Sequence, residues 1–168
     1  MKTLHTLTVA ALLSVAAPAA VLASPALDTT RTCPTATTAD IDSRFAVFNE
    51  AWATLNPDTV TALFTAEPVL LPTVSNQPRT TPATVRDYFV NFLKLKPVGR
   101  IDTGTTEIDC QTASRVGTWT VAITDPATGQ KSDVVARYSF IYRFEDGVWQ
   151  IDHLHSSAMP EAVAAHAH

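Results

Sequence analysis

The chain is short of charge. Charged residues make up 17% of its 168 positions, and 12 basic residues against 16 acidic ones leave a net charge of −4. No basic run disturbs that balance, so composition gives no support for nucleic-acid binding. So few charges suit a sheet-rich or an oligomeric domain, and composition does not separate the two. No segment beyond the N-terminal run is long and apolar enough for a membrane-spanning helix. There is no internal repeat. Cysteine is limited to Cys33 and Cys110, and histidine to five positions. Only His153 and His155 fall inside the expected domain, since His5 lies in the leader and His166 and His168 in the tail. A catalytic zinc site wants three protein ligands, and this inventory offers two from one strand plus a carboxylate that cannot be identified.

What is present begins with a leader. Lys2 supplies a positive start, residues 7–23 are almost wholly apolar, and Val21-Leu22-Ala23 precedes a cleavage point at Ser24. Residues 1–23 therefore read as a secretory signal peptide. Pro18 and the shortness of the run argue against an uncleaved anchor. The expected location is secreted or periplasmic, with no membrane contact after cleavage. In an oxidising compartment a Cys33–Cys110 disulfide is expected, two unrelated thiols being the alternative. Residues 24–37, rich in Thr, Pro and Ala, read as a tether. Residues 38–161 form the expected domain and residues 162–168 a mobile tail.

Within the domain, Thr37-x-x-Asp40 resembles a capping box. Ile41, Phe45, Phe48, Trp52 and Leu55 follow at helical spacing. Asn56-Pro57 starts a short second helix, with Val60, Leu63 and Phe64 on its buried side. Val69-Leu70-Leu71 is a short strand halted by Pro72. Thr81-Pro82 opens a third helix bearing Val85, Tyr88, Phe89, Phe92 and Leu93. Strands are expected at 101–110, 113–123, 134–144 and 149–157, with turns at 125–129 and at Asp146-Gly147. Helices followed by hairpin-linked strands imply an α+β domain, three helices on a curved antiparallel sheet, closed at one end and open at the other as a cone.

The last strand carries the chemistry. Strict alternation puts Trp149, Ile151, His153, His155 and Ser157 on one face, apolar at one end and polar at the other. That is how a concave site is lined. Two surface histidines on an edge strand are the plain alternative. Tyr138, Phe140 and Tyr142 read as core wall, and Arg137 and Arg143 as solvated.

These elements resemble the nuclear transport factor 2-like cone fold. The run from Asp146-Gly147-Val148-Trp149 to Met159-Pro160 resembles the calcium/calmodulin-dependent protein kinase II association domain in a bacterial secreted form. It is similar in more detail to the iota-class carbonic anhydrases, whose hallmark is a His-His-His-Ser-Ser run, here His153-Leu154-His155-Ser156-Ser157. Segments 70–77, 86–89 and 94–102 are similar to that family too. The resemblance implies interconversion of carbon dioxide and bicarbonate. It implies a pocket set of Thr73, Tyr88 and Ser157 for substrate, with His155 or His153 holding a water, since imidazole titrates near neutrality. Both metal-dependent and metal-free members belong to that family. The ligand count favours no cofactor, with zinc as the alternative. Leu154 replaces the middle histidine, and on strict alternation it faces away from the pocket. A homodimer is expected, because a cone fold leaves one sheet face open. The other function class is a non-catalytic oligomerisation or small-ligand module of the same fold. Isomerisation is a third route, but it asks for a buried acid, and Asp152 alone is near, in the outward phase.

Overall fold

The structure is a computed structural model that describes residues 32–160. The expected leader, residues 24–31 of the tether, and the tail lie outside the described residues.

Helix α1 spans Thr38–Ala53 and starts where the capping signal lies. Thr37 Oγ1 accepts from the Asp40 backbone N–H at 3.3 Å, and Asp40 Oδ2 accepts from the Thr37 N–H at 2.7 Å. Two backbone donors that a helix start leaves orphaned are thereby satisfied. Ile41, Phe45, Phe48 and Trp52 form its buried stripe. Leu55 leaves that stripe: it lies past the helix end at φ 55° and is exposed. Helix α2 is one short turn, Pro57–Thr61, capped by Asn56. Leu63 and Phe64 do not belong to it, because β1 begins at Phe64 and runs to Leu71. Helix α3 spans Pro82–Phe92 and continues into a single 3-10 turn, Leu93–Leu95.

Four long strands follow: β2 (Val98–Asp109), β3 (Thr112–Thr124), β4 (Lys131–Glu145) and β5 (Val148–Ala158). The sheet order is β1-β5-β4-β3-β2. The β2–β5 meander is antiparallel, and β1 adds to the edge at β5 in parallel. The turn at Asp146-Gly147 has positive φ at both residues, the geometry that lets a two-residue link match the strand twist. The domain is thus α+β, with three helices packed on a curved five-stranded sheet.

Within the β2–β5 meander, curvature comes from two bulges. In β2 the register slips between Ile101 and Thr103, and in β5 between Ile151 and His153. Each leaves one extra residue, an aspartate in both cases: Asp102 and Asp152. An extra residue bends its strand and increases the local twist. Both carboxylates are tied down. Asp102 takes Arg100 at 2.5 Å and the Thr120 hydroxyl at 2.7 Å. Asp152 takes Arg143 at 2.9 Å and the Thr65 hydroxyl at 3.3 Å. The concave face holds the core, where Phe48, Phe89, Phe140, Tyr138 and Tyr142 are all but inaccessible. Trp119 lies edge-on to Phe140, and Phe48 edge-on to Phe140 as well. Such pairs add about 0.5–1.5 kcal/mol each beyond burial alone.

Cys110 sits in the two-residue β2–β3 turn at φ 46°. Its sulfur is bonded to Cys33, 77 residues earlier. Closing a loop of that length should contribute about 4 kcal/mol through the unfolded chain. Replacing both cysteines with serine should therefore lower urea stability by about that amount, with no further loss when reductant is added. If the wild-type protein were equally stable with and without reductant, the bridge would hold nothing.

Candidate functional site

The open end of the cone contains a cavity of ≈ 60 Å³. Its walls come from every layer of the fold. Helix α1 gives Trp52 and α3 gives Tyr88, Phe89 and Phe92. The sheet gives Leu70 from β1, Trp119, Val121 and Ile123 from β3, Val134 and Ala136 from β4, and Leu154 and Ser156 from β5. Pro72, Thr73 and Val74 close it from the segment after β1. Leu70 and Arg79 exchange two backbone hydrogen bonds, 2.8 and 2.9 Å, which pin that segment as a closed loop. Thr73 is held over the cavity by this neck.

The β5 residues at the cavity are not those that strict alternation selects. Before Asp152, Trp149 and Ile151 face the core, as the period-2 pattern requires. The extra residue at the bulge then inverts the phase. Leu154 pairs with Phe140 and Ser156 with Tyr138, both core residues. His153 pairs with Ile141 and Val69, and His155 with Ser139 and Leu71, on the opposite face. Paired residues of a sheet share a face. The expectation that His153, His155 and Ser157 line the pocket is thus corrected: they lie half-buried on the convex face. Leu154, expected to point away, is 3% exposed in the cavity wall. Ser156 takes the place expected of Ser157. Thr73 and Tyr88 both line the cavity. A bulge inside an otherwise regular strand has little sequence signal; the lone Asp152 between apolar and imidazole residues is the only mark of it.

The polar groups of the cavity are few and mostly donors. Ser156 Oγ accepts from the Thr73 hydroxyl and from Trp119 Nε1, the latter at 3.2 Å. A hydroxyl has two acceptor positions and one donor. Both acceptor positions of Ser156 are taken, so its O–H is left to donate, while Thr73 keeps its acceptor positions. Trp52 Nε1, buried in the same wall, has no protein partner. Tyr88 adds a phenol. Burial pushes its pKa well above the ordinary tyrosine value, against a smaller opposite pull from Arg79, so it remains a neutral donor. Among the described residues, those that line the cavity include no imidazole and no carboxylate.

Zinc does not fit these donors, since hydroxyls and indole N–H groups are poor ligands for it. Among the described residues no three or more of His, Cys, Asp and Glu gather into a possible metal site. The two cysteines are bonded to each other, as expected, and offer no thiolate.

Denaturation can check the face assignment. Leu154→Ala should cost about 2–5 kcal/mol, as truncating a buried leucine does. His155→Ala should change stability by less than about 0.5 kcal/mol, as an outward residue. The reverse order of costs would mean that the phase of β5 is wrong.

Residues 37–160 match the calcium/calmodulin-dependent protein kinase II association domain family. A solved structure from Xanthomonas campestris, described as an association domain of that kind, is similar at 42% identity with a TM-score of 0.71. The match covers 79% of this chain and 98% of that one. A protein from Novosphingobium aromaticivorans, described as NTF2-like with a cystatin-like fold, has a TM-score of 0.62 at 11% identity, over 76% of this chain and 84% of that one. A ketosteroid isomerase-like protein from Erwinia carotovora atroseptica has a TM-score of 0.61 at 16% identity, over 74% and 97%. These last two share the fold alone. No curated protein matches the sequence.

Proposed function

The chain belongs to the calcium/calmodulin-dependent protein kinase II association domain family, and we propose that within it this protein is an exported, metal-free carbonic anhydrase. One observation carries the reading: a small apolar cavity whose polar groups are neutral and mainly donors. Such a cavity suits a small neutral molecule that offers only acceptor oxygens, and carbon dioxide is that molecule. The similarity of segments 70–77, 86–89 and 94–102 to iota-class carbonic anhydrases supports the same substrate.

The chemistry follows from the hydrogen-bond inventory. A water accepted by Thr73 Oγ1 stands beside the substrate carbon. The Ser156 and Tyr88 hydroxyls donate to the oxygens on which negative charge develops. Donors held in place in an apolar surround stabilise that charge without having to reorganise. Water adds to carbon dioxide, giving bicarbonate and one proton, and that proton leaves to solvent, since no imidazole or carboxylate among the described residues lines the cavity. Export rests on the signal-like residues 1–23 and on the Cys33–Cys110 bond, a pairing that persists in oxidising compartments.

A second reading is favoured by Leu154. It fills the wall where the hallmark run of the anhydrases has a histidine, so the cavity could hold a small apolar ligand without converting it. A stopped-flow carbon dioxide hydration assay on zinc-free protein separates the two. Turnover above the buffer rate is expected. Ser156→Ala and Tyr88→Phe should each lower kcat/KM by roughly 10- to 100-fold, the range for losing a transition-state donor. His153→Ala, His155→Ala and Ser157→Ala should stay within about twofold, because convex-face side chains do not reach the cavity. Folded protein that gives only the buffer rate would leave the binding reading in its place.

We further propose a homodimer. The family is named for association. Val69, Leu71, Ile141 and the two imidazoles leave an extended, partly apolar convex face, which a second copy would cover. Light scattering at micromolar concentration should give twice the chain mass; a monomer there would end this proposal.

A further inference from the structure

Outside the cavity lies a wider, open depression of ≈ 420 Å³. The two are continuous in their lining: Val74, Tyr88, Phe92 and Leu95 belong to both. The depression adds what the cavity lacks, which is charge. Arg79 and Asp87 line it, with Ser75 and Asn91 as neutral polar neighbours.

Among the described residues Arg79 is a cation without a counter-ion. Five ion pairs occur among the described residues and none includes it. Its Nη2 donates to Ser75 Oγ at 3.2 Å, and its Nε is buried with no protein partner. Asp87 is exposed and in no ion pair, and the cation its charge acts on is the adjacent Arg86. The Arg79 backbone is fixed by the two hydrogen bonds to Leu70, so the guanidinium projects from the same pinned loop that carries Thr73. Its charge reaches the Tyr88 phenol, where it opposes the effect of burial. A guanidinium left half-buried and unpaired is costly unless something acceptor-rich completes it.

We infer that Arg79 is an anion-binding residue, and that the depression holds a small monovalent oxyanion, bicarbonate first, between the Arg79 guanidinium and the Tyr88 hydroxyl. The inference rests on the carbon dioxide reading of the cavity and extends it to the product. The substrate is neutral and suits the apolar cavity. The product carries a charge and is poorly solvated there. A planar fork of N–H donors matches two coplanar oxygens, and it lies on the way out. Nitrate has the same planar shape and charge and should compete for the same place.

The test is a titration of isotope-labelled wild-type protein with sodium bicarbonate and, separately, sodium nitrate at constant ionic strength, followed by NMR. Saturable shifts are expected at the Arg79 Nε–H and at the Tyr88 and Phe92 backbone amides, with either anion. Arg79→Gln should weaken both anions by about tenfold or more, and Arg79→Lys should restore part of the affinity, keeping the charge but not the fork. Ser156→Ala changes the cavity and not the depression, so it should leave nitrate affinity within about twofold. No saturable shift in the wild type, or an unchanged affinity in Arg79→Gln, would overturn the inference. Hydration activity without anion binding removes this inference and leaves the enzyme reading. Anion binding through Arg79 without hydration does the opposite.

Discussion

The Asp152 carboxylate, held by Arg143 on β4 and Thr65 on β1, is the anchor on which the rest of the site depends. It sits at the extra residue of β5 and bonds to the strand on either side. With the bulge in place, Trp149 and Ile151 fill the core below it, and Leu154 and Ser156 face the cavity above it. A regular strand would carry His153 and His155 inward instead. Two imidazoles would then meet Phe140 and Tyr138, and the cavity would be polar. A single carboxylate with two partners thus selects between an apolar and an imidazole-lined pocket.

The second bulge, at Asp102, works on the other side of the sheet with the same parts, an arginine and a threonine on an aspartate. Together the two bend the meander around α1. Gly117 shows how tight the result is: a Cβ there would lie 2.1 Å from the Thr103 carbonyl oxygen, just beyond the bulge. The same carbonyl accepts from Tyr138 at 3.1 Å. Curvature, the glycine and the tyrosine are one arrangement, and it leaves the far end of the sheet open wide enough for a cavity.

Most of the fold was legible because its signals are local. Thr37 with Asp40, Asn56 with Pro57, Thr81 with Pro82, and Asp146 with Gly147 each state a boundary in adjacent residues. The heavy aromatic pattern of Phe45, Phe48 and Trp52 states a buried face. Leu55 and Phe64 fall outside the helices because the apolar periodicity runs on past the helix ends at Ala53 and Thr61, and the parallel docking of β1 is a long-range choice with no local mark. The site was legible only in part. Thr73 and Tyr88 come from elements with clear boundaries, so their positions carried over. The β5 residues did not, because alternation is a counting rule and one inserted residue reverses every position after it. Arg79 carried no motif at all. Its isolation is a product of the tertiary fold, which brings no carboxylate among the described residues within ion-pair distance of it.

The bond between Cys33 and Cys110 encloses all three helices, β1 and β2 in one covalent ring, leaving β3, β4 and β5 as a tail to it. The exposed loop that carries Thr73, with Val74 and its neighbours at the surface, lies inside that ring. A protease that cut this loop would therefore release nothing. The two pieces would stay joined through sulfur and through the sheet, and the nick would be visible only after reduction. Damage at the mouth of the cavity is thereby separated from loss of the molecule.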